Sequence, residues 1–144
     1  MSSRTGGIRK MSLKKMVLGS AGLGIAVIGL IYLLAPHLLL DVYGVDIQSP
    51  SEANLFRSGS GSLYVALAIL FCLGASNPRY TRTSLITMFT FMSGLAVGRL
   101  VSIVADGWPH AVLTVVLVVE ASYAGAAAHL LRVEDFSPQL KEAA

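Results

Sequence analysis

The sequence predicts an all-α protein, an integral membrane four-helix bundle with both termini in the cytoplasm. The first observation is composition: 54% of the 144 residues are hydrophobic and only 13% are charged, whereas a soluble domain carries about 25% charged residues. The second is that the apolar residues form four long stretches separated by short polar ones. The third is that Lys and Arg cluster in alternate polar segments: before the first apolar stretch, between the second and third, and after the fourth. This alternation is typical of multi-pass membrane proteins.

The chain begins with a short basic segment, residues 1–15, which we expect to be disordered or to lie at the membrane surface. The apolar stretch that follows predicts a first helix over residues 16–40, because about 20 apolar residues span the hydrocarbon of a bilayer. A cleaved signal peptide is the alternative, since Lys14 and Lys15 precede the apolar stretch. The stretch is long for a signal peptide, and no small-residue cleavage motif follows it, so an uncleaved helix is favoured.

A capping motif marks the start of the second helix. Ser49 is the predicted N-cap, Pro50 occupies the first helical position, and Glu52 completes a capping box. This helix is predicted over residues 50–76, because Pro78 disfavours a helical conformation at the residue before it.

The third helix is predicted over residues 84–105 and the fourth over residues 109–131, with the segment "ADGWP" between them. Residues 132–144 are charged and are expected to form a soluble cytoplasmic tail. The sequence therefore predicts one transmembrane domain, residues 16–131, flanked by two cytoplasmic segments.

The distribution of positive charge predicts the orientation. The basic residues lie before the first helix, between the second and third, and after the fourth: Arg4, Arg9, Lys10, Lys14, Lys15, Arg79, Arg82 and Arg132. The other two loops are acidic or neutral, so the positive-inside rule places both termini in the cytoplasm. Trp108, Tyr43 and Tyr80 occupy positions typical of interfacial aromatic residues.

Arg99 and Glu120 lie well inside predicted membrane helices, where charged side chains usually face protein or water and suggest a function. At the rise of an α-helix, Arg99 lies about 10 Å below Asp106 and Glu120 about 16 Å below Pro109. The tight turn between the third and fourth helices makes them antiparallel neighbours. We therefore predict that Arg99 pairs with Glu120.

Further polar residues extend this pair into a predicted cluster, since helical spacing places them on two faces at similar depth. The cluster comprises Asn54, Arg57, Tyr64, Arg99, Ser102, Asp106, Glu120 and Tyr123. Its four charges sum to zero, and Tyr123 is expected to hydrogen-bond to Glu120, one turn away. Two interpretations remain open: an interhelical network that fixes the packing, or a small vestibule in which arginine receives an anionic or polar group.

Small residues at helical spacing predict close helix packing. Gly94 and Gly98 have G-x-x-x-G spacing, Gly125 follows Ala121 at the same spacing, and Gly61 lies on the polar face of the second helix. Such patterns permit close approach of membrane helices. Packing within one chain is favoured over dimerisation.

Several classes of function lack support. The His residues are not spaced with other ligand types as a metal site requires, and no catalytic triad, phosphate loop or haem motif occurs, so neither a cofactor nor an enzymatic activity is predicted. The basic residues border an apolar helix instead of covering a folded face, which argues against nucleic-acid binding. The expected partner is the lipid bilayer, with a homo-oligomer or a larger membrane complex left open.

One pattern carries a family resemblance; it consists of Asn54, Arg57, Gly61, the segment "GRLVSIVADGWP" and Glu120. In this pattern the chain resembles the bacterial family catalogued as domain of unknown function 4345, over roughly residues 16–131. The resemblance implies a bacterial inner-membrane four-helix bundle with these polar positions as its signature, and it brings no known activity. The architecture is also similar to DoxX-like four-helix proteins, some of which are linked to quinol oxidation.

The sequence thus favours a non-enzymatic inner-membrane protein that binds a small polar or lipidic ligand or serves as an accessory subunit. The alternative is a subunit of a quinol-linked membrane redox enzyme, which depends on the DoxX-like similarity of fold alone.

Overall fold

The computed structural model describes the backbone of residues 3–142 and the side chains of residues 13–134. This part of the chain is mostly helical and contains no strand. Its α-helices are α1 (Ser3–Leu34), α2 (His37–Leu40), α3 (Pro50–Leu55), α4 (Leu63–Ser76), α5 (Pro78–Asp106) and α6 (Ala111–Glu142). A 3₁₀ turn (Asp41–Tyr43) follows α2, and a π-helical segment (Phe56–Ser62) joins α3 to α4.

Within the described residues, four helical segments are long and apolar enough to cross a membrane. These spans are Leu13–Leu34, Pro50–Ser76, Pro78–Asp106 and Ala111–Glu134. At most 28% of the apolar window of any span is buried inside the protein, so most of its side chains point outward, such as Val104 and Leu34. An apolar exterior of this kind suits lipid, and the predicted four-helix all-α fold is confirmed.

The first helix is longer at its start and shorter at its end than the sequence predicts. α1 includes residues 3–15, so the structure places them in a helix and not in a disordered segment. It ends at Leu34 and not at residue 40, because Pro36 has no N–H with which to continue the ladder of hydrogen bonds. The chain then restarts as α2.

The predicted cap of the second span is confirmed. The Ser49 hydroxyl accepts a hydrogen bond from the Glu52 backbone N–H at 3.2 Å, and Pro50 is the first helical residue. The Glu52 carboxylate accepts from the Gln48 N–H at 2.6 Å, one residue earlier than in the usual capping box.

The second span is not regular, because residues 56–62 form a π-helical turn that the sequence analysis did not predict. This stretch, "FRSGSGS", is rich in Gly and Ser. Serine hydroxyls bond back to earlier carbonyls, from Ser58 to Asn54 at 2.8 Å and from Ser62 to Arg57 at 3.1 Å. Such bonds compete with the backbone hydrogen bonds of an α-helix. Glycine has a low helix propensity, so the glycines of this stretch do little to favour a regular α-helix.

The third span begins at Pro78 and not at residue 84, so Arg79 and Arg82 lie in its first turns. Asn77 alone connects the two helices: its backbone is extended, and its side chain accepts a hydrogen bond from the Arg79 N–H at 3.0 Å. A capping residue followed by proline at the first position starts a helix at once.

Side chains of α5 join it to the end of α4. The Gly74 carbonyl has no helical donor, since residue 78 is proline, and the Thr81 hydroxyl donates to it at 2.8 Å. The buried Ser84 hydroxyl donates to the Leu70 carbonyl at 2.8 Å. Ser84 also occupies the space where a side chain at Gly74 would lie, so glycine is required there for this crossing.

The fourth span starts at Ala111 and not at residue 109, and α6 continues to Glu142. Residues 132–142, predicted as a soluble tail, therefore extend the helix; the side chains beyond residue 134 lie outside the described part. Glu134 is 3.1 Å from the Lys14 ammonium and 4.0 Å from the Arg82 guanidinium. The start of the first span, the start of the third and the end of the fourth consequently lie at one end of the bundle.

Neighbouring spans pack in chain order, whereas the first and fourth spans approach each other only sparsely. The centre of the bundle holds fully buried side chains from three spans: Leu18, Phe71, Leu85 and Met88. Lipid is as apolar as these side chains, so tight packing and not exclusion from water holds such helices together.

Glycines also allow the first two spans to approach each other closely. A Cβ at Gly61 would lie 2.7 Å from the Leu33 backbone nitrogen, and one at Gly29 would lie 2.8 Å from the Tyr64 Cβ. The packing role predicted for Gly61 is confirmed. For Gly94, Gly98 and Gly125 it is wrong within this chain, because a Cβ there would meet nothing within 4 Å.

Candidate ligand-binding cavity

Arg99 and Glu120 form a bidentate ion pair between the third and fourth spans. The Arg99 Nε donates to Glu120 Oε2 at 2.8 Å, and Nη2 donates to Oε1 at 3.0 Å. The Glu120 side chain is 6% exposed and that of Arg99 is 25% exposed. The pairing predicted from helix depth is confirmed.

The turn between α5 and α6 sets the register of this pair. Gly107 has φ of 92°, a conformation that L side chains rarely adopt, and it ends α5 directly after Asp106. The chain turns back within four residues, 107–110, and α6 begins at Ala111. The short turn fixes which residues of the two helices lie at equal depth.

The Arg99 guanidinium retains unused donor groups. Of the five N–H groups of an arginine side chain, two bond to Glu120. The other three make no hydrogen bond to any group in the described part of the chain. Both Glu120 oxygens accept from Arg99, and the guanidinium keeps three donors that a polar molecule can use.

The ion pair lies in the wall of a cavity of about 230 Å³ on the side where the first and fourth spans diverge. We call it the lateral cavity. It is lined by Ser20, Ala21, Gly24, Ile25, Ile28, Tyr32, Tyr43, Tyr64, Phe91, Met92, Leu95, Arg99, Val116, Val119, Glu120 and Tyr123. Arg99 and Glu120 are the only charged residues in this lining, and most of the rest are apolar.

Aromatic rings form one wall of the lateral cavity. The Tyr64 ring meets Tyr32 edge-on at 6.2 Å and Phe91 edge-on at 5.7 Å, and Tyr32 stacks on Phe56 at 6.4 Å. These separations are within the range of favourable aromatic pairs. The contacts fix the rings relative to one another along this wall.

Tyr123 lines the cavity but does not bond to Glu120 as predicted. Its hydroxyl donates to the Ser20 hydroxyl at 3.1 Å. The Tyr123 side chain instead reaches across to the first span. This bond bridges the sparse contact between the first and fourth spans.

The remaining polar residues predicted for the cluster make no hydrogen bond and no ion pair with Arg99 or Glu120 in the described part of the chain. Ser102 donates to the Asp106 carboxylate at 3.0 Å, and both side chains are exposed. Asn54 and Arg57 are exposed, and among the described residues Arg57 forms no ion pair. The structure thus shows the Arg99–Glu120 pair, while the larger four-charge cluster stays a prediction. The π-helical turn changes the helical spacing that the prediction assumed through residues 54–64.

A second depression lies between α5 and α6. We call it the α5–α6 groove, of about 320 Å³, lined by Gly94, Leu95, Gly98, Arg99, Ser102, Pro109 and Leu113. Its glycines have no side chains to fill the space. Arg99 borders both the groove and the lateral cavity, whereas Glu120 borders only the cavity.

The sequence analysis missed the contribution of the first span to the cavity, and it treated Tyr43 only as an interfacial residue. A signal was present: Ser20, Gly24, Ile28 and Tyr32 recur every four residues, which places them along one helix face. Two of them are small, so this face leaves space beside its neighbour.

The fold and the cavity define a class: a helical bundle with four potential membrane spans and one ion pair in the wall of an apolar cavity. The chain belongs to the family described as Domain of unknown function (DUF4345), whose profile matches residues 13–131. This confirms the family resemblance inferred from the polar pattern. No curated protein and no solved structure matches the chain.

Proposed function

We propose that this protein is a non-enzymatic membrane protein that binds an amphipathic small molecule in the lateral cavity. The polar group of the ligand lies at Arg99, and its apolar part lies against the walls formed by the first and fourth spans. One observation carries the proposal: a guanidinium with three unused N–H groups borders a largely apolar cavity. Binding sites commonly combine apolar walls with a few well-placed polar groups.

The size and position of the cavity favour entry from the bilayer. Its volume of about 230 Å³ is below the range of about 300–1,000 Å³ typical of sites for drug-sized ligands. The cavity therefore holds a polar group and a short apolar portion. A longer chain extends into lipid between the first and fourth spans, where contact is sparse.

The location that fits this function is the inner membrane of a bacterium, with both termini in the cytoplasm. Support for the orientation comes from Lys14, Arg79, Arg82 and Arg132, which lie at the ends of the spans predicted to face the cytoplasm. An accessory role in a larger membrane complex is compatible with this arrangement, because the apolar exterior offers surface to partner helices as well as to lipid.

Native mass spectrometry of gently extracted protein tests the proposal. The wild type should retain a small molecule that the double variant Arg99→Met/Glu120→Leu has lost, although both have similar thermal stability. Replacing a buried ion pair by apolar residues of similar volume is often neutral for stability.

The matched control is Arg57→Met/Asp106→Leu, which removes the same two charge types from exposed positions outside the cavity. It should retain the molecule. If the Arg99→Met/Glu120→Leu variant keeps the same bound species, or if the wild type carries none, the ion pair is structural and the proposed function is wrong.

A further inference from the structure

The charge balance of the lateral cavity restricts the ligands that it accepts. Arg99 and Glu120 are its only charged lining residues, and they neutralise each other in a bidentate pair. The titratable groups that also face the cavity are the phenols of Tyr32, Tyr43, Tyr64 and Tyr123. With neutral phenols, the site carries no net charge.

An anionic group at Arg99 would disturb this balance. Glu120 is 6% exposed, so its carboxylate is little screened by solvent, and a second anion beside it would leave one negative charge unmatched. An unmatched charge at this depth in a membrane is strongly disfavoured. Moving Glu120 away to admit the anion would break both of its hydrogen bonds.

An uncharged acceptor avoids this cost. The three unused N–H groups of Arg99 can donate to a carbonyl or ester oxygen while the ion pair stays intact. The nearby phenol hydroxyls of Tyr32 and Tyr64 add further hydrogen-bonding groups. Arg99 has donors without a partner, and its charge is already matched by Glu120. These two features together favour an uncharged oxygen acceptor.

We propose that the lateral cavity selects molecules whose polar group is an uncharged hydrogen-bond acceptor on an apolar chain, and that Glu120 excludes acids of the same chain. This inference rests on the proposed function, because it names the ligand class of the same cavity. Glu120 therefore determines specificity as well as holding Arg99 in place.

The test compares two probes of equal chain length, methyl decanoate and decanoate, added to the purified full-length protein at mildly alkaline pH. Binding of each is measured by native mass spectrometry over a concentration series. The wild type should bind the ester at least about tenfold more tightly than the acid, a conservative figure for one unmatched charge in a membrane.

Glu120→Gln keeps the shape of the side chain and gives the cavity a net positive charge, so it should reverse the preference and favour decanoate. Asp106→Asn changes charge by the same amount at an exposed position outside the cavity and should leave the preference unchanged. Arg99→Gln/Glu120→Gln restores a neutral cavity and should lose the preference for the acid.

Two results would overturn the inference in different ways. If the wild type binds decanoate as tightly as the ester, the neutral-acceptor inference is wrong while the binding function stands. If the wild type binds neither probe, the proposed function is overturned and the inference with it. Should Glu120→Gln fail to fold, the preference of the wild type still decides between ester and acid.

Discussion

Arg99 is stable at its position because Glu120 matches its charge and satisfies two of its donors. An unpaired charge at the centre of a membrane helix costs about 3 kcal/mol by insertion scales. The geometry is the planar fork that guanidinium and carboxylate groups favour. Lysine would make only a point contact and would not reproduce this pair.

The first prediction is that Arg99 and Glu120 are energetically coupled. Arg99→Ala and Glu120→Ala should each destabilise the protein, because each leaves a buried charge without its partner. Breaking a buried pair costs about 3–5 kcal/mol in soluble proteins, and membrane values are smaller. The double variant should be more stable than the sum of the single effects implies, by about 1 kcal/mol or more.

Unfolding in detergent, followed by circular dichroism with denaturant, measures the four proteins of this cycle. Strictly additive effects would show that the two side chains do not depend on each other. Asp106 would then be the next partner of Arg99 to test.

The second prediction contrasts two glycines. Gly61→Ala should destabilise by about 1–3 kcal/mol, the usual cost of overpacking, because its Cβ would lie 2.7 Å from the Leu33 nitrogen. Gly98→Ala should be neutral or stabilising by up to about 1 kcal/mol, since alanine favours the helix and a Cβ there meets nothing within 4 Å. Thermal unfolding midpoints compare the two. A greater loss at Gly98 would indicate a partner helix on that face.

Among the helices and their connections, proline and capping side chains define most of the boundaries. Pro36 ends α1, and Ser49 with Pro50 starts the second span. Asn77 with Pro78 allows a connection of one residue between the second and third spans. The bundle consequently has little loop at this end, and the Glu134 ion pairs hold the spans together there.

The third prediction concerns this one-residue connection. Asn77→Ala removes the hydrogen bond to the Arg79 N–H and should destabilise by about 0.5–2 kcal/mol, the usual cost of losing an N-cap. Asn77→Asp keeps an acceptor in the same place and should retain most of the stability. Thermal unfolding in detergent measures both variants. If Asn77→Ala and Asn77→Asp lose the same stability, the amide group of Asn77 is required and an acceptor at the cap position is not sufficient.

Local signals in the sequence predicted some elements and not others. The cap at Ser49 and the break before Pro78 follow from single residues and their neighbours, so they could be predicted. The π-helical turn at residues 56–62 could not, because its stretch of Gly and Ser is equally compatible with a frayed α-helix. The start of α5 was misplaced since "NPRYTR" was interpreted as a loop instead of a cap and a first turn.

The whole molecule consists of four spans that neighbour one another in chain order. An even number of antiparallel spans places both ends of the four-span region at the same end of the bundle, in agreement with the Lys14–Glu134 ion pair at 3.1 Å. Which side this is follows from the positive-inside rule and remains a prediction.

The fourth prediction tests that orientation. In a Cys72→Ser background, Ser51→Cys should react with a membrane-impermeant thiol reagent in intact cells, because it begins the second span on the acidic side. Ser137→Cys should react only after the cells are opened. Labelling is read by a mass shift on a gel. Reaction of Ser137→Cys alone in intact cells would reverse the topology.

At this scale the ion pair could be predicted and the cavity could not. Arg99 and Glu120 lie on helices joined by a tight turn, so depth along each helix identifies them as partners. The cavity depends instead on the gap between the first and fourth spans, and on rings such as Tyr32 that contact residues far away in the sequence. Helical spacing places Ser20, Gly24 and Tyr32 on one face of the first span, but it does not show which neighbouring span leaves the gap.

The position of the lateral cavity between the first and last spans has a consequence for biosynthesis. A ribosome delivers Arg99 to the membrane before Glu120 exists, so the nascent third span carries an unmatched cation until the fourth span has been made. The lateral cavity is complete only when the fourth span has packed against the others. A chain that stops short of Glu120 leaves the Arg99 charge without its partner, so the two halves of the ion pair exist together only in a chain that contains the fourth span.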